Sequence, residues 1–176
     1  MCVDNAAVAI STWRKHSPDA RIGILDVDFH HGNGTQDIFY DDGNVFYTSI
    51  HGEDEFPYYT GAEDERGAGE GTGMNLNLPL AKGSTFDKYL EKLDQALDAL
   101  FAFAPELLVV SLGFDTFRLD PLGCFDIDTE DYEVMARRAR TRLPGVPTVI
   151  LLEGGYSIDH LGANLLSFLR GWEMTS

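Results

Sequence analysis

Cysteine is scarce in this chain. Cys2 and Cys124 are the only two among 176 residues, too few for a disulfide framework, and the simple reading is a reducing cytoplasm. Basic residues are scarce too: 13 Lys and Arg stand against 29 Asp and Glu, a formal charge of −16. Nucleic-acid binding needs a basic surface to replace counterions, so that class is disfavoured. Nowhere do about 18 apolar residues run together, which argues against a membrane-spanning helix. Met1-Cys2-Val3-Asp4-Asn5 lacks the charged and apolar stretches of a secretory leader. Internal repeats, low-complexity segments and linkers are absent as well.

What remains is an ordinary globular composition, 44% hydrophobic and 24% charged, at a length that suits one domain with a buried core. The acidic surplus has two readings. It attracts cationic substrates such as polyamines or lysine-rich peptides, or it merely keeps the protein soluble.

Hydrophobic patterning predicts an α/β fold. Residues 4–17 read as a helix with Asp4 as its cap. Residues 22–28 form a short apolar run ending in acids, the pattern of a buried parallel strand. A second strand is predicted at 45–50, a long Gly- and acid-rich loop at 52–73, and extended structure at 74–80. Phe86, Tyr89, Leu90, Leu93, Leu97, Leu100 and Phe101 repeat at helical spacing over 86–103, with Pro105 as the stop. A buried strand follows at 107–113, a helix at 129–143, a strand at 147–153 and a closing helix at 158–172. Alternation of this kind implies a parallel sheet.

In open α/β sheets, sites form at the carboxyl ends of strands. The first strand here ends in Asp26, Asp28, His30 and His31, the third in Gly113-Phe114-Asp115, and the last in Glu153-Gly154-Gly155-Tyr156. Asp26, Asp28 and His30 are spaced by two, so an extended chain would point all three to one face. Two carboxylates beside an imidazole suit a divalent metal, zinc above all, and Asp115 would add a third ligand while leaving a position open for water and substrate. Taken alone, Asp-x-His is a weak signal, more often a paired surface His or a strand-end turn than a metal site. Tyr156 follows two glycines that let the backbone turn sharply. Its phenol could donate to a developing oxyanion, or the ring could simply pack at a turn.

Read together, the motifs carry a resemblance. Asp26-Val27-Asp28-Phe29-His30-His31-Gly32-Asn33-Gly34-Thr35-Gln36 resembles the metal motif of the zinc-dependent deacetylase superfamily, the histone deacetylases and acetylpolyamine amidohydrolases. Ser49-Ile50-His51, Gly67-Ala68-Gly69-Glu70-Gly71, Asn75-Leu76-Asn77-Leu78-Pro79-Leu80, Gly113-Phe114-Asp115, Asp120-Pro121-Leu122-Gly123 and Glu153-Gly154-Gly155-Tyr156 follow in that family's order, from about Asp4 to Trp172. The loop with Phe56-Pro57-Tyr58-Tyr59 is most similar to bacterial acetylpolyamine amidohydrolases.

The resemblance implies a three-layer arginase/deacetylase-like fold with a mostly parallel sheet. It implies one catalytic zinc on Asp28, His30 and Asp115, and Tyr156 as the group that polarises the acyl carbonyl. Asp26 and His31 would stand just behind the ligands, Asp26 orienting one histidine of a tandem pair. A potassium ion is implied at the Asp26 side chain, the Asp28 and His30 carbonyls, the Ser49 hydroxyl and the Ile50 carbonyl. A second is implied at the carbonyls of Phe39, Asp42 and Val45. Phe56, Tyr58, Gly154 and Gly155 would line the acyl-amine channel. The implied substrate is a small cationic acetylated amine, an acetylpolyamine or an acetyl-lysine-like group, and the protein could be a homo-oligomer.

One departure matters. The family's tandem catalytic histidines lie in a P-G-H-H-like motif upstream of the segment matching residues 1–7, and no such pair exists among His16, His30, His31, His51 and His160. Residues 1–176 therefore read as the C-terminal portion of a single deacetylase domain, its N-terminal part missing. On that reading the chain alone is expected to expose apolar surface and to be inert. Two rivals stand beside the zinc amidohydrolase. One is a metal-binding chain without turnover. The other is a binuclear manganese ureohydrolase of the arginase type, which needs further acids where Gly32 and Phe117 stand here.

Overall fold

The structure, a computed structural model, describes residues 4–123 and 125–173. Cys2 and Cys124 lie outside the described residues. Among the described residues, eleven segments follow one another: α1 (Asn5–Arg14), β1 (Ile22–Asp26), α2 (Asn33–Phe39), β2 (Val45–Gly52), a single 3₁₀ turn (Gly69–Gly71), β3 (Asn75–Leu80), α3 (Phe86–Phe103), β4 (Leu107–Leu112), α4 (Asp131–Arg142), β5 (Thr148–Leu152) and α5 (Ile158–Glu173). The five strands form one wholly parallel sheet in the order β3-β2-β1-β4-β5.

Alternation along the strands divides the apolar side chains between two layers. Leu25, Phe46, Ile50, Leu108, Val110 and Leu112 face one way, onto α3, α4 and α5. Ile22, Ile24, Val45, Tyr47, Leu107 and Val109 face the other, onto α1 and Phe39 of α2. Burial on both faces is why these strands read as continuous apolar runs rather than alternating ones. The result is three layers, helix–sheet–helix.

Strand order places the site. From β1 the chain moves to β2 and β3 on one side, then crosses to β4 on the other. The crevice between the carboxyl ends of β1 and β4 is thus the point where the winding reverses, the usual ligand position in such sheets. Asp26 pairs in register with Ser111 of β4 and Ser49 of β2, so residues just after Asp26 and just after Leu112 emerge side by side.

The differences from the sequence expectation have local causes. Helix α1 begins where Asp4 accepts the Ala7 amide (2.7 Å) and ends at Arg14, short of 17; Pro18 disfavours helical backbone at the preceding residue. Helix α2 escaped prediction because its buried residues, Thr35, Gln36 and Phe39, include only one apolar side chain. Among the described residues, no helix is long and apolar enough to cross a membrane.

Candidate metal centre

The chain leaves β1 through two side chain–backbone hydrogen bonds. Asp26 Oδ1 accepts the Asp28 amide (3.2 Å), and Asp28 Oδ1 accepts the His30 amide (2.9 Å). Such bonds compete with the sheet ladder, and the strand stops at Asp26. The extended run expected over residues 22–28, with Asp26, Asp28 and His30 on one face, is therefore corrected. Successive turns, not strand alternation, bring Asp28 and His30 to the rim.

Asp115 arrives from the loop after β4. One donor atom from each of Asp28, His30 and Asp115 lies within 4.8 Å of the other two, and among the described residues this is the one group of ligand-capable side chains so placed. His30 Nδ1 is 2.8 Å from Asp115 Oδ2 and 3.5 Å from Asp28 Oδ1. Backbone amides hold each carboxylate: Gly154 N donates to Asp28 Oδ2 (2.8 Å) and Phe29 N to Asp115 Oδ1 (2.9 Å). Glycine is obligatory beside them. A Cβ on Gly154 would come within 2.3 Å of Asp115 Oδ2 and 2.6 Å of Asp28 Oδ2.

The Asp115 carboxylate, hydrogen-bonded to the imidazole, and then the Asp28 carboxylate 3.5 Å away push His30 up to about 10. Burial pushes Asp115 up to about 6. Burial also works to raise Asp28, but hydrogen bonds from His30 and the Gly154 amide prevail and hold it below the usual carboxylate range. A proton on His30 offsets one of the two carboxylate charges, and a divalent ion in its place would offset both. The donor set of two carboxylate oxygens and one imidazole nitrogen fits such an ion.

Behind the trio, Asp26 is buried and accepts the Tyr47 hydroxyl at 2.9 Å. Burial, then the nearby Asp28, push its carboxyl well above the usual range. Tyr47 read from sequence only as a strand residue; nothing in its spacing marks it as a partner for Asp26.

A cavity of about 850 Å³ opens over Asp28 and His30, lined among others by Asp26, His31, Phe56, Glu153, Gly154 and Tyr156, while Asp115 lies buried behind it. Tyr156 is 45% exposed. Its phenol is pushed up by burial and then by Asp115 and Asp28, so it stays protonated and able to donate. Tyr58 packs edge-on against Phe56, ring centroids 6.1 Å apart, but neither it nor Gly155 lines this cavity. The remaining residues singled out from sequence lie farther back. Ser49 and Ile50 are buried in β2, whereas Phe39, Asp42 and Val45 flank the turn between α2 and β2, where Arg14 pairs with Asp42.

A polar network that sequence reasoning missed anchors the loop carrying Phe56. His31 Nε2 donates to Gln36 Oε1 (3.1 Å), which also accepts from Asn75 and Asn77. Glu65 accepts from Gln36 and from the Gly61 amide. His31 Nδ1 stands 3.0 Å from the Thr60 hydroxyl. His51 Nε2 donates to the Gly61 carbonyl (3.0 Å), which leaves Nδ1 to accept from Ser49 (2.9 Å).

Burial, reinforced by the neighbouring His31, pushes His51 down to about 4. Below its unfolded value near 6.5 the unfolded chain takes up a proton that the folded chain refuses. Stability is therefore lost as pH falls from about 6.5 to about 4, by on the order of 3 kcal/mol. Urea midpoints measured across that range should drop more steeply for the wild type than for His51→Gln. Parallel profiles would show that His51 is not held neutral.

Known proteins resemble this chain over nearly its whole length. A model of the histone deacetylase domain matches residues 2–172. Acetylpolyamine amidohydrolase 1 of Pseudomonas aeruginosa is 46% identical over 173 residues, covering 97% of this chain and 49% of that protein. The acetylpolyamine amidohydrolase of Mycoplana ramosa is 42% identical over 171 residues, covering 96% and 49%. Among solved structures, the acetylpolyamine aminohydrolase from Burkholderia pseudomallei superposes with a TM-score of 0.91 at 44% identity, over 98% of this chain and 50% of that one. The chain spans about half the length of the curated relatives it matches.

Proposed function

The chain belongs to the histone deacetylase domain family, and on that premise we propose that it holds the metal of an amidohydrolase that removes acetyl or related acyl groups from amines. The observation that carries this is the convergence of Asp28, His30 and Asp115 at the reversal point of the sheet, beneath a cavity lined by Asp28, His30 and Tyr156. The metal is one zinc ion. Zinc supplies Lewis acidity toward an acyl oxygen and makes water acidic enough to attack near neutral pH.

The chain's own residues do the rest. Amides of Gly154 and Phe29 keep the two carboxylates aimed inward. The Tyr156 hydroxyl donates to the oxyanion that develops as the acyl carbon becomes tetrahedral. Phe56 forms one wall of the approach. Potassium is proposed at the back of the site, at Asp26, Asp28, His30, Ser49 and Ile50, and again at Phe39, Asp42 and Val45. The Ser49 hydroxyl donates to His51 and so keeps lone pairs for a cation. The cysteine usage fits a cytoplasmic protein.

A second reading, metal binding without turnover by these residues alone, is favoured by one observation. Attack by water needs a base, worth about 10²–10⁴ in rate, and His30 and His31 are the two histidines lining the cavity. His30 faces the carboxylates and His31 has both ring nitrogens engaged. Zinc uptake with no acetate release by the purified chain is the outcome that would select this reading.

The substrate is proposed to be a small cationic acetylated amine. Glu53, Asp54, Glu55, Glu63 and Asp64 border a shallow cleft beside the Phe56 loop, and the whole chain carries −16. Such a field concentrates cations, with effects of about tenfold or more that salt screens. In the turnover-competent protein, kcat/KM for an acetylated diamine should exceed that for a neutral acetamide of matched length by about tenfold at low salt. The gap should narrow as salt rises. Equal values at low salt would remove electrostatic selection.

A further inference from the structure

The Asp120-Pro121-Leu122-Gly123 stretch has no role in the account so far, yet its acid sits between the two loops that build the site. Asp120 is 6% exposed. Its Oδ2 accepts the backbone amides of Tyr156 (2.7 Å) and Ser157 (3.0 Å). Its Oδ1 accepts those of Leu122 (2.9 Å) and Gly123 (3.2 Å). One side chain thus takes four main-chain donors, two from each loop.

Both loops lead to the metal trio. On one side, Gly123 lies against the ligand segment so closely that a Cβ there would come within 2.2 Å of the Asp115 carbonyl. On the other, the Gly-Gly-Tyr turn is held at its start, where Gly154 N donates to Asp28 and Phe114 N to the Gly154 carbonyl (2.8 Å). Between the two anchors lies Gly155 at φ +138°, a backbone setting that favours glycine. Past it, the Tyr156 ring is nearly half exposed, so packing does little to fix it. Its backbone amide ties it to the Asp115 side through Asp120, whereas its carbonyl accepts the Ile158 amide (3.0 Å) within its own turn.

We propose that Asp120 is a positioning residue for Tyr156: it fixes the start of α5 against the Asp115 loop and so sets where the phenol hydroxyl meets the acyl oxygen. This rests on the reading of Tyr156 as an oxyanion donor. The plainer role for Asp120 is to satisfy the free Tyr156 and Ser157 amides just ahead of α5. That role would stabilise the helix without depending on the Tyr156 hydroxyl.

The two roles separate in a double-mutant cycle. The probe is a fluoroketone analogue of an N-acetyl amine, which hydrates to a tetrahedral diol and needs no turnover to be measured. Asp120→Asn keeps the shape but puts an NH₂ where one oxygen accepts two amides. It should weaken analogue binding about tenfold with the bound zinc per chain unchanged, and hydrogen exchange at the Tyr156 and Ser157 amides should accelerate. In a Tyr156→Phe background the same change should weaken binding less than about twofold, because no hydroxyl remains to misplace. A tenfold loss in both backgrounds, or no loss in either, overturns the proposal and leaves Asp120 a helix cap. Tyr156→Phe alone reports on the underlying reading: if it leaves analogue affinity unchanged, Tyr156 is no oxyanion donor, whatever Asp120 does. Should Asp120→Asn fold poorly, as judged by circular dichroism, Asp120→Glu keeps the charge while moving both oxygens, and the same non-additivity is expected of it.

Discussion

Asp115→Ala is expected to cost the site its zinc. Asp115 is fully buried, and one of its oxygens lies 2.8 Å from His30 Nδ1, among the atoms placed to take a metal. Loss of a group that merely supports a ligand weakens metal binding about 10–100-fold, so a drop well beyond 100-fold is what marks Asp115 as a ligand. The substitution also strips the Phe29 amide of its acceptor, which costs about 1–3 kcal/mol of stability. Asp115→Asn serves as the control, because its carboxamide oxygen can still take that amide while the charge is gone. Elemental analysis after dialysis against a competing chelator reads the result directly; full zinc occupancy in Asp115→Ala would sink the assignment. The same site should bind zinc in a pH-dependent way. His30, raised to about 10 by its two carboxylates, keeps a proton in the metal-free protein at neutral pH, and zinc must expel it. Affinity should therefore rise by about tenfold per pH unit between pH 7 and 9. A flat profile would mean that His30 does not ligate through the nitrogen facing the acids.

How much of this could be read from the residues depends on what holds each part. Helix α3 was legible because its buried side, Tyr89, Leu93, Ala96, Leu97 and Leu100, follows helical spacing. The parallel sheet was legible because strands buried on both faces are apolar throughout. The trio of Asp28, His30 and Asp115 was legible as a candidate site because its members sit at strand ends and because their motif resembles a known one. Helix α2 was not, since it buries Gln36, whose amide meets Asn77 from 41 positions away. No local pattern announces a polar side chain that is buried for the sake of a distant partner. The manner in which Asp28 and His30 converge was misread for a related reason. Alternation assumes an extended chain, and the Asp26 and Asp28 carboxylates draw the backbone into turns instead. Asp120 lies in a recognisable motif, yet its partners Tyr156 and Ser157 follow at separations of 36 and 37 residues. Only the fold joins them.

Tyr156→Phe should leave fold and zinc intact and remove most of the rate. The change deletes one hydroxyl from a ring that is 45% exposed, so no cavity opens and no buried partner is stranded. None of the three metal-facing side chains is altered, and their backbone supports, the Gly154 and Phe29 amides, lie outside the substituted atom. What is lost is a donor aimed at charge that exists only as the acyl carbon becomes tetrahedral. Losing one such donor costs about 10²–10³ in kcat. KM should change little, because a ground-state carbonyl accepts far less from a phenol than an oxyanion does. The phenol is held above its ordinary value by burial and by Asp115 and Asp28. Its loss of the donor proton therefore cannot set the neutral arm of a pH–rate profile, and the wild-type and Tyr156→Phe profiles should share one shape at different heights. The fluoroketone analogue gives the matching equilibrium measurement: its affinity should fall by about the same 10²–10³ as kcat, while affinity for the acetylated substrate stays within about twofold. Near-wild-type turnover and analogue binding in the variant would reduce Tyr156 to a residue of the turn and leave the oxyanion to the metal alone.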